Sequence, residues 1–452
     1  MLMTEHRNRK SGLSTFFIIW AGQVVSIIGS GLTGFALGVY VYQITGSVTQ
    51  LGLVLLANSL PGIIFAPIAG VVVDRSDRRK VMLLSDAGAG LATLAIWMLL
   101  TSGNLEIWHI YISSAVGSFF GVFQGPAYMA SVTLLVPKEH YGRTSGLIQL
   151  GQAISQILAP ILAGFLILTI KIEGVILIDF ATFLFAVLTL LLVRIPRPPI
   201  SDDAESSQGS FLREAMVGLR YVIERQGLLG MLLLFAFVNF SLGFFNALFT
   251  PLILSFATVE VLGMIASVSG IGLLVGSLLM SVWGGSKRKI NSLLGSIFFA
   301  GVALSIGPLR PSALLMGVSG FIFLFFIPIA NASSNAIWQT KVKPGVQGRV
   351  FAARRMLASF ATPLAYLTAG PLADNIFEPF MRSNSRLAAQ TGMIIGEGPG
   401  RGIALLFIIM GMLISFATAI AYLHPRIRRV ELELPDVIDE TQEAFLDSES
   451  AK

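Results

Sequence analysis

Residues 136–166 read VPKEHYGRTSGLIQLGQAISQILAPILAGFL, and residues 342–372 read VKPGVQGRVFAARRMLASFATPLAYLTAGPL. Each stretch opens on a short basic loop, passes through Gly-Arg and runs into an apolar segment that closes on Ala-Gly. Val136, Gly142, Arg143, Ala163, Gly164 and Leu166 recur as Val342, Gly348, Arg349, Ala369, Gly370 and Leu372, all at an offset of 206 residues. Ser76-Asp77-Arg78-Arg79 is echoed by Ser286-Lys287-Arg288-Lys289, another basic loop between apolar segments, at an offset of 210. A nearly constant offset that lands between equivalent apolar segments marks an internal duplication, so the chain is built as two related halves.

Working outward, the whole chain carries the same apolar signature. Of its 452 residues, 54% are hydrophobic and 12% are charged, against about 25% charged in a typical soluble protein. A soluble surface cannot absorb that much apolar area, whereas a bilayer accepts it. A crossing helix needs about 20 apolar residues. Twelve segments meet that length, at 15–42, 49–73, 80–101, 107–135, 144–169, 174–193, 228–255, 260–283, 290–307, 312–340, 349–373 and 402–423. The fold class expected is therefore all-α membrane, with twelve transmembrane helices in two pseudo-symmetric six-helix bundles. The bundles are 1–193 and 228–424. A cytoplasmic linker with an amphipathic helix occupies 194–227, and an acidic cytoplasmic tail occupies 425–452. In the linker, Leu212, Ala215, Met216, Leu219, Val222 and Ile223 share one helical face. The acidic residues that follow Glu431 predict a disordered tail.

Lys and Arg set the orientation. With the N-terminus inside, the outer loops hold only Lys171, Arg310, Arg382, Arg386 and Arg401 of the chain's 31 basic residues. Both termini are therefore expected in the cytoplasm, in a multi-pass protein of the cell inner membrane. There is no Cys, and His6, His109, His140 and His424 are in no metal-ligand spacing. No metal, cofactor or nucleic-acid partner is expected; the partners expected are the lipid bilayer, a small-molecule substrate and protons, with the chain acting as a monomer.

The loop after span 2 is the most specific motif. It reads Gly70-Val-Val-Val-Asp74-Arg75-Ser-Asp77-Arg78-Arg79-Lys80. With the twelve-span architecture, it resembles the signature of the major facilitator superfamily, in which Asp77 takes the place of a common Gly. The resemblance implies that Asp74 braces a cytoplasmic gate against the start of span 11, where Gly348, Arg349, Arg354 and Arg355 lie. A carboxylate suits a helix N-terminus and a neighbouring Arg. Gly70, Arg75, Arg78 and Arg79 complete this gate motif. Span 5 carries Gly146, Ser155, Ala159, Pro160, Ala163 and Gly164, a relaxed form of the superfamily's antiporter motif. Many drug/proton antiporters also place an Arg three residues before a Gln-Gly in span 4; here Gln124-Gly125 is present and that position is Gly121. The runs Phe123-Gln-Gly-Pro126-Ala127 and Gly348-Arg349-Val350-Phe351 are similar to the macrolide-efflux and enterobactin-exporter branch.

Polar residues within spans are candidates for the substrate pathway. They are Gln23, Asn58, Gln124, Gln149, Gln152, Gln156, Asn239, Asn246, Asn331 and Asn335. Gln149, Gln152 and Gln156 share one face of span 5. Asp86, early in span 3 and on the cytoplasmic side, and Asp179, early in span 6 and on the outer side, are the candidates for proton coupling. In the outer loop at 374–400, Ile376, Phe377, Phe380, Met381 and Leu387 are placed to cap a mouth, with Gly396, Gly398 and Gly400 giving mobility. The resemblance implies a secondary exporter of amphiphilic small molecules, drug-, macrolide- or siderophore-like, working by alternating access and proton antiport. An importer of the same fold is the alternative. A membrane receptor or membrane-embedded enzyme is a second, from another class, although no intramembrane cluster of nucleophile, base or metal ligands is present.

Overall fold

The computed structural model describes residues 2–137, 140–193, 195, 219–342 and 344–434. Every extended element among them is helical. The long helices are α1 (Leu2–Thr45), α2 (Val48–Arg75), α3 (Arg78–Thr101) and α4 (Ile107–Leu135), followed by a rod over Tyr141–Leu192. Lys171 breaks that rod with a positive φ of 58°, a backbone state rare for residues other than glycine. It divides the rod into α5 (141–170) and α6 (172–192). Then come α7 (Gln226–Leu254), α8 (Val259–Trp283), α9 (Lys289–Ile306), α10 (Ala313–Lys341), α11 (Pro344–Leu372) and α12 (Arg401–Leu423). Among the described residues, ten helices are long and apolar enough to cross a membrane when the 141–192 rod counts as one and α4 is left aside. Dividing the rod at Lys171 and adding α4, 29 residues long, accounts for the twelve predicted spans.

Local chemistry explains the helix boundaries. The Ser47 side chain accepts from Gln50 N to start α2, and Ser312 accepts from Leu315 N to start α10. Asp77, the residue at the superfamily's Gly position, starts α3: its carboxylate accepts from Arg79 N and Lys80 N at 3.1 and 3.4 Å. The turn is thus closed by a side chain where a glycine would close it by backbone freedom. His109 belongs to a capping box at the start of α4, where its Nδ1 accepts from Glu106 N.

Three expectations change. Spans 5 and 6 were expected to be separated by a loop, and that loop is reduced to the single break at Lys171. The segment at 374–400 is folded, with helices at Glu378–Arg382 and Arg386–Ile395. Glu378, buried, accepts from Ile403 N at 3.1 Å, and Arg401, also buried, donates to Ile395 O at 3.1 Å. The orphan donors of a helix start and a buried guanidinium draw the segment into place. The tail is ordered through Leu434: Glu431 accepts from Lys289 N and Ile290 N at the start of α9, and the buried Lys341 ammonium donates to the carbonyls of Glu431 and Leu434. The linker stretch 196–218, which contains most of the amphipathic face, and the tail from 435 onward lie outside the described residues.

The chain divides into two compact units. One gathers the helices up to α6 together with Ala257–Ser267 and Ala369–Asp374; the other gathers the remainder of α7–α12. The first unit is layered along its helices. One apolar cluster holds Phe16 and Ile19 of α1, Met82 of α3 and Leu190 of α6. A second holds Leu37 and Val41 of α1, Ile96 of α3 and Ile176 of α6. The polar residues of the same helices fall between the two. The second unit has an aromatic centre, where the Phe245 ring lies 4.9 Å from Phe249 and Phe323 and 6.0 Å from Phe407. There α8 meets α10 so closely that a Cβ at Gly272 or Gly276 would fall 2.2 or 2.1 Å from the carbonyl oxygens of Phe321 and Phe325. Small residues spaced four apart allow such backbone contact in membranes.

Candidate functional site

A cavity of about 560 Å³ occupies the polar layer of the first unit. Its walls come from α1, α2, α3, α4 and α6, and among the described residues its ionisable lining consists of Asp86 and Asp179, with no Lys, Arg or His. Both carboxyls are almost wholly buried, at 4% and 2% exposure. The sequence placed them towards opposite membrane faces, and the structure sets both on the wall of one cavity. The reason is that α1 and α3 run well past it at each end, leaving the polar residues in the middle layer.

Asp86 closes a three-membered polar cluster. Gln23 Nε2 donates to its Oδ2 at 3.1 Å, and Gln124 Nε2 donates to its Oδ1 at 3.0 Å. Gln124 Nε2 also donates to Gln23 Oε1 at 2.9 Å. One carboxyl therefore ties α1, α3 and α4 together. Gln124 Oε1 is buried and has no hydrogen-bond partner among the described residues. An amide oxygen is a hydrogen-bond acceptor, so this atom has unused acceptor capacity beside Asp86.

Asp179 has looser company. Ser30 and Thr93 donate to its two oxygens at 3.4 and 3.5 Å, longer than a good O–H···O bond. A Cβ at Gly29 would lie 2.9 Å from Asp179 Oδ1, so α1 passes directly over this carboxyl. Gln23 and Ser30 are seven residues apart on α1, as are Asp86 and Thr93 on α3. The two carboxyl stations thus lie two turns, about 10 Å, apart along the helices, with Ser26 on the wall between them.

Of the predicted pathway residues, Gln23, Asn58 and Gln124 come together here with both acidic residues. The others stay out of this cavity. Gln149, Gln152 and Gln156 form an exposed face of α5, and Asn246 and Asn331 are exposed. Asn239 donates to Phe235 O on its own helix, and Asn335 accepts from Arg354 at 2.8 Å. The Arg354 guanidinium also lies over the rings of Phe235 and Trp338, at 5.1 and 5.7 Å. Sequence reasoning missed the hydroxyls. Ser26, Ser30 and Thr33 follow Gln23 along one face of α1, and Ser113 lies on the face of α4 that carries Gln124. Polar residues repeating at helical spacing on apolar spans were the signal that could have found them.

The gate motif divides. Asp74, Arg75, Arg349 and Arg355 are exposed, while Arg78 and Arg79 work inside the first unit. Arg78 donates to Ala130 O on α4 at 3.0 Å, and Arg79 donates to Leu190 O and Leu191 O at 2.8 and 2.9 Å, capping the end of α6. A Cβ at Gly70 or Gly146 would meet open space, so close packing does not explain either glycine here. Gly348 is helical. The antiporter-like stretch of α5 is a packing surface. Ser155 donates to Ile27 O on α1 at 3.0 Å, Ala159 and Ala163 are buried, and a Cβ at Gly263 would fall 2.4 Å from Pro160 O.

The Major Facilitator Superfamily model matches residues 19–366. The chain belongs to that family. It is 33% identical to a Streptococcus pyogenes protein named Macrolide efflux protein A over 371 residues, which is 80% of this chain and 90% of the relative. It is 25% identical to the Multidrug efflux pump Tap of Mycolicibacterium fortuitum, over 76% of this chain and 86% of the relative. Among solved structures, the nucleoside transporter NupG superposes with a TM-score of 0.67 at 13% identity, covering 90% of this chain and 98% of its own. A bacterial homologue of the human lysosomal transporter Spinster, in an inward-facing and unoccupied conformation, gives 0.66 at 14%, covering 90% and 97%. The fold is that of this superfamily, and the protein is a multi-pass membrane transporter of small molecules rather than an enzyme.

Proposed function

We propose that this transporter exports amphiphilic small molecules that carry a protonated amine, in exchange for protons, by alternating access between two six-helix halves at 1–193 and 228–424. The observation that carries the proposal is the cavity lining: two buried carboxyls, amides and hydroxyls, with no basic side chain to neutralise the acids. Ionised acids in such a site need a counter-charge. A proton and a cationic substrate can each supply it, and neutralisation by either in turn is the basis of an antiport. Asp86, held by Gln23 and Gln124, is the exchange site, and Asp179 is the second proton station two turns further on. The same lining disfavours anionic cargo, which sets siderophore-like anions below amine-bearing drugs. The names of the relatives, a macrolide efflux protein and a multidrug efflux pump, support export of a drug-like cargo. The amide faces on α5 and in the second unit serve the remainder of the pathway, and the Asp74 loop with Arg349 and Arg355 serves the cytoplasmic gate. The basic-residue asymmetry supports an orientation with both termini in the cytoplasm, and we take the protein to act as a monomer in the inner membrane.

The test is uptake into everted membrane vesicles energised by an inside-acid pH gradient. A macrolide bearing a tertiary amine should accumulate, and an uncharged amphiphile of similar size should accumulate far less. Collapse of the gradient with a protonophore should stop accumulation. Accumulation confined to right-side-out vesicles would establish an importer instead.

A further inference from the structure

At the Thr45 end of the first unit, Asp374 accepts four hydrogen bonds from the start of α2. Its Oδ2 accepts from Ser47 Oγ, Thr49 N and Thr49 Oγ1 at 2.7, 2.8 and 2.7 Å, and its Oδ1 accepts from Val48 N at 3.1 Å. Val48 and Thr49 are the first residues of α2, so their N–H groups are among the orphan donors of a helix start. The first turn of α2 contains no acidic residue of its own. Its negative cap comes from the far end of α11, more than 320 positions along the chain. Such bonds from backbone N–H to an ionised carboxylate are short and strong, and the helix dipole adds to them.

The approach is built by the backbone. A Cβ at Gly370 would lie 2.4 Å from Thr49 Cα and 2.7 Å from Thr49 N, so only glycine lets the two helices meet there. Ala369 and Ala373 are buried on either side of it. Asp374 itself lies in a short π-helical segment, Ala373–Phe377, at the end of α11; such wide turns re-aim a side chain and recur at functional positions. The repeat supplies a control. Gly164, the counterpart of Gly370, likewise packs on the start of a helix, with Val259 O and Glu260 Cα of α8 at 3.1 and 3.3 Å from its Cβ position. There α8 has its own first-turn acid, Glu260, and the position matching Asp374 is Leu168. The duplicated packing is common to both halves, and the carboxylate cap is present in one.

We propose that Asp374 is a latch that fastens the end of α11 to the start of α2 and holds the outer mouth of the transporter shut, and that its release is a step of the transport cycle. Calling this mouth outer rests on the orientation proposed above. Alternating access requires that a closed mouth reopen, and one carboxylate can leave α2 without breaking either helix, because water can take over its four donors.

The chain lacks cysteine, so single-cysteine labelling is clean. Ser118→Cys places a thiol on the cavity wall, and Ala186→Cys places one in the packed core. A membrane-impermeant maleimide is added to intact cells. Asp374→Asn should raise the labelling rate at position 118 about tenfold, the bias expected from losing the charge on one set of hydrogen bonds, with no labelling at position 186. Asp374→Glu should give a smaller rise. An unchanged rate at position 118 in Asp374→Asn would overturn the latch. A parallel rise at position 186 would overturn it too, since the variant would then be unfolding rather than opening. No substrate enters the measurement, so its outcome is separate from that of the proposed cargo.

Discussion

Replacing Asp86 by Asn tests the exchange site at the cost of one atom type. The native carboxyl accepts two amide hydrogen bonds, from Gln23 and Gln124 at 3.1 and 3.0 Å. An Asn keeps one acceptor for one of these amides and turns a donor towards the other. The unpartnered Gln124 Oε1 relieves that conflict, because rotating this amide lets it accept from the new NH₂. The fold should therefore survive, with a loss of about 1 kcal/mol in stability for weakened hydrogen bonds. The functional loss is larger. A charge-assisted contact between the carboxylate and a substrate ammonium contributes about 2–3 kcal/mol, which corresponds to about 30- to 150-fold in apparent affinity. Purified protein in proteoliposomes allows two measurements: counterflow of an amine-bearing macrolide, and accumulation of the same compound under a pH gradient. Asp86→Asn should raise the KM for counterflow within that range and abolish gradient-driven accumulation, while leaving counterflow of an uncharged amphiphile within about twofold. Gradient-driven accumulation at the wild-type rate would refute the exchange site. An equal loss for charged and uncharged substrates would show that Asp86 shapes the cavity instead.

Asp179→Asn should cost less than about 1 kcal/mol in stability, since its hydroxyl contacts are long, yet it should slow proton-driven transport severalfold; thermal unfolding in detergent and vesicle uptake separate the two effects. Arg79→Ala removes the caps on Leu190 O and Leu191 O and should destabilise the first unit by about 2 kcal/mol, seen as a lowered Tm with Arg79→Lys intermediate. Gly276→Ala drives a methyl into Phe325 O and should cost about 1–3 kcal/mol by forcing α8 from α10, again read from Tm; a Tm within a degree of wild type would mean that this helix pair is free to separate.

The membrane-spanning helices were legible in the sequence because the bilayer rule is local. Length and apolarity of a single segment decide whether it crosses, whatever its neighbours do. The loop at Gly70–Lys80 was legible as a motif because its residues follow one another in sequence, although Arg78 and Arg79 act on distant carbonyls of α4 and α6 that the motif does not name. Asp77 illustrates the limit, since the departure from glycine was visible but its repair by an N-cap needed the turn itself. The candidate site was half legible. Gln23, Asn58, Gln124, Asp86 and Asp179 were each marked as polar residues in apolar spans, and the helical spacing of Ser26, Ser30 and Thr33 was there to be read.

What the chain alone determined is thus a bundle of membrane helices with basic loops, and a few amides and two acids within apolar spans. Which of those polar groups share a wall was decided by the tertiary structure. The rotation of each helix about its axis, fixed by packing across the bundle, turned Gln23, Asp86 and Gln124 towards one another and left Gln149, Gln152 and Gln156 on an exposed face of α5. The same holds for Asp374: its four donors belong to a helix start more than 320 positions away, and no local pattern records a partner that distant.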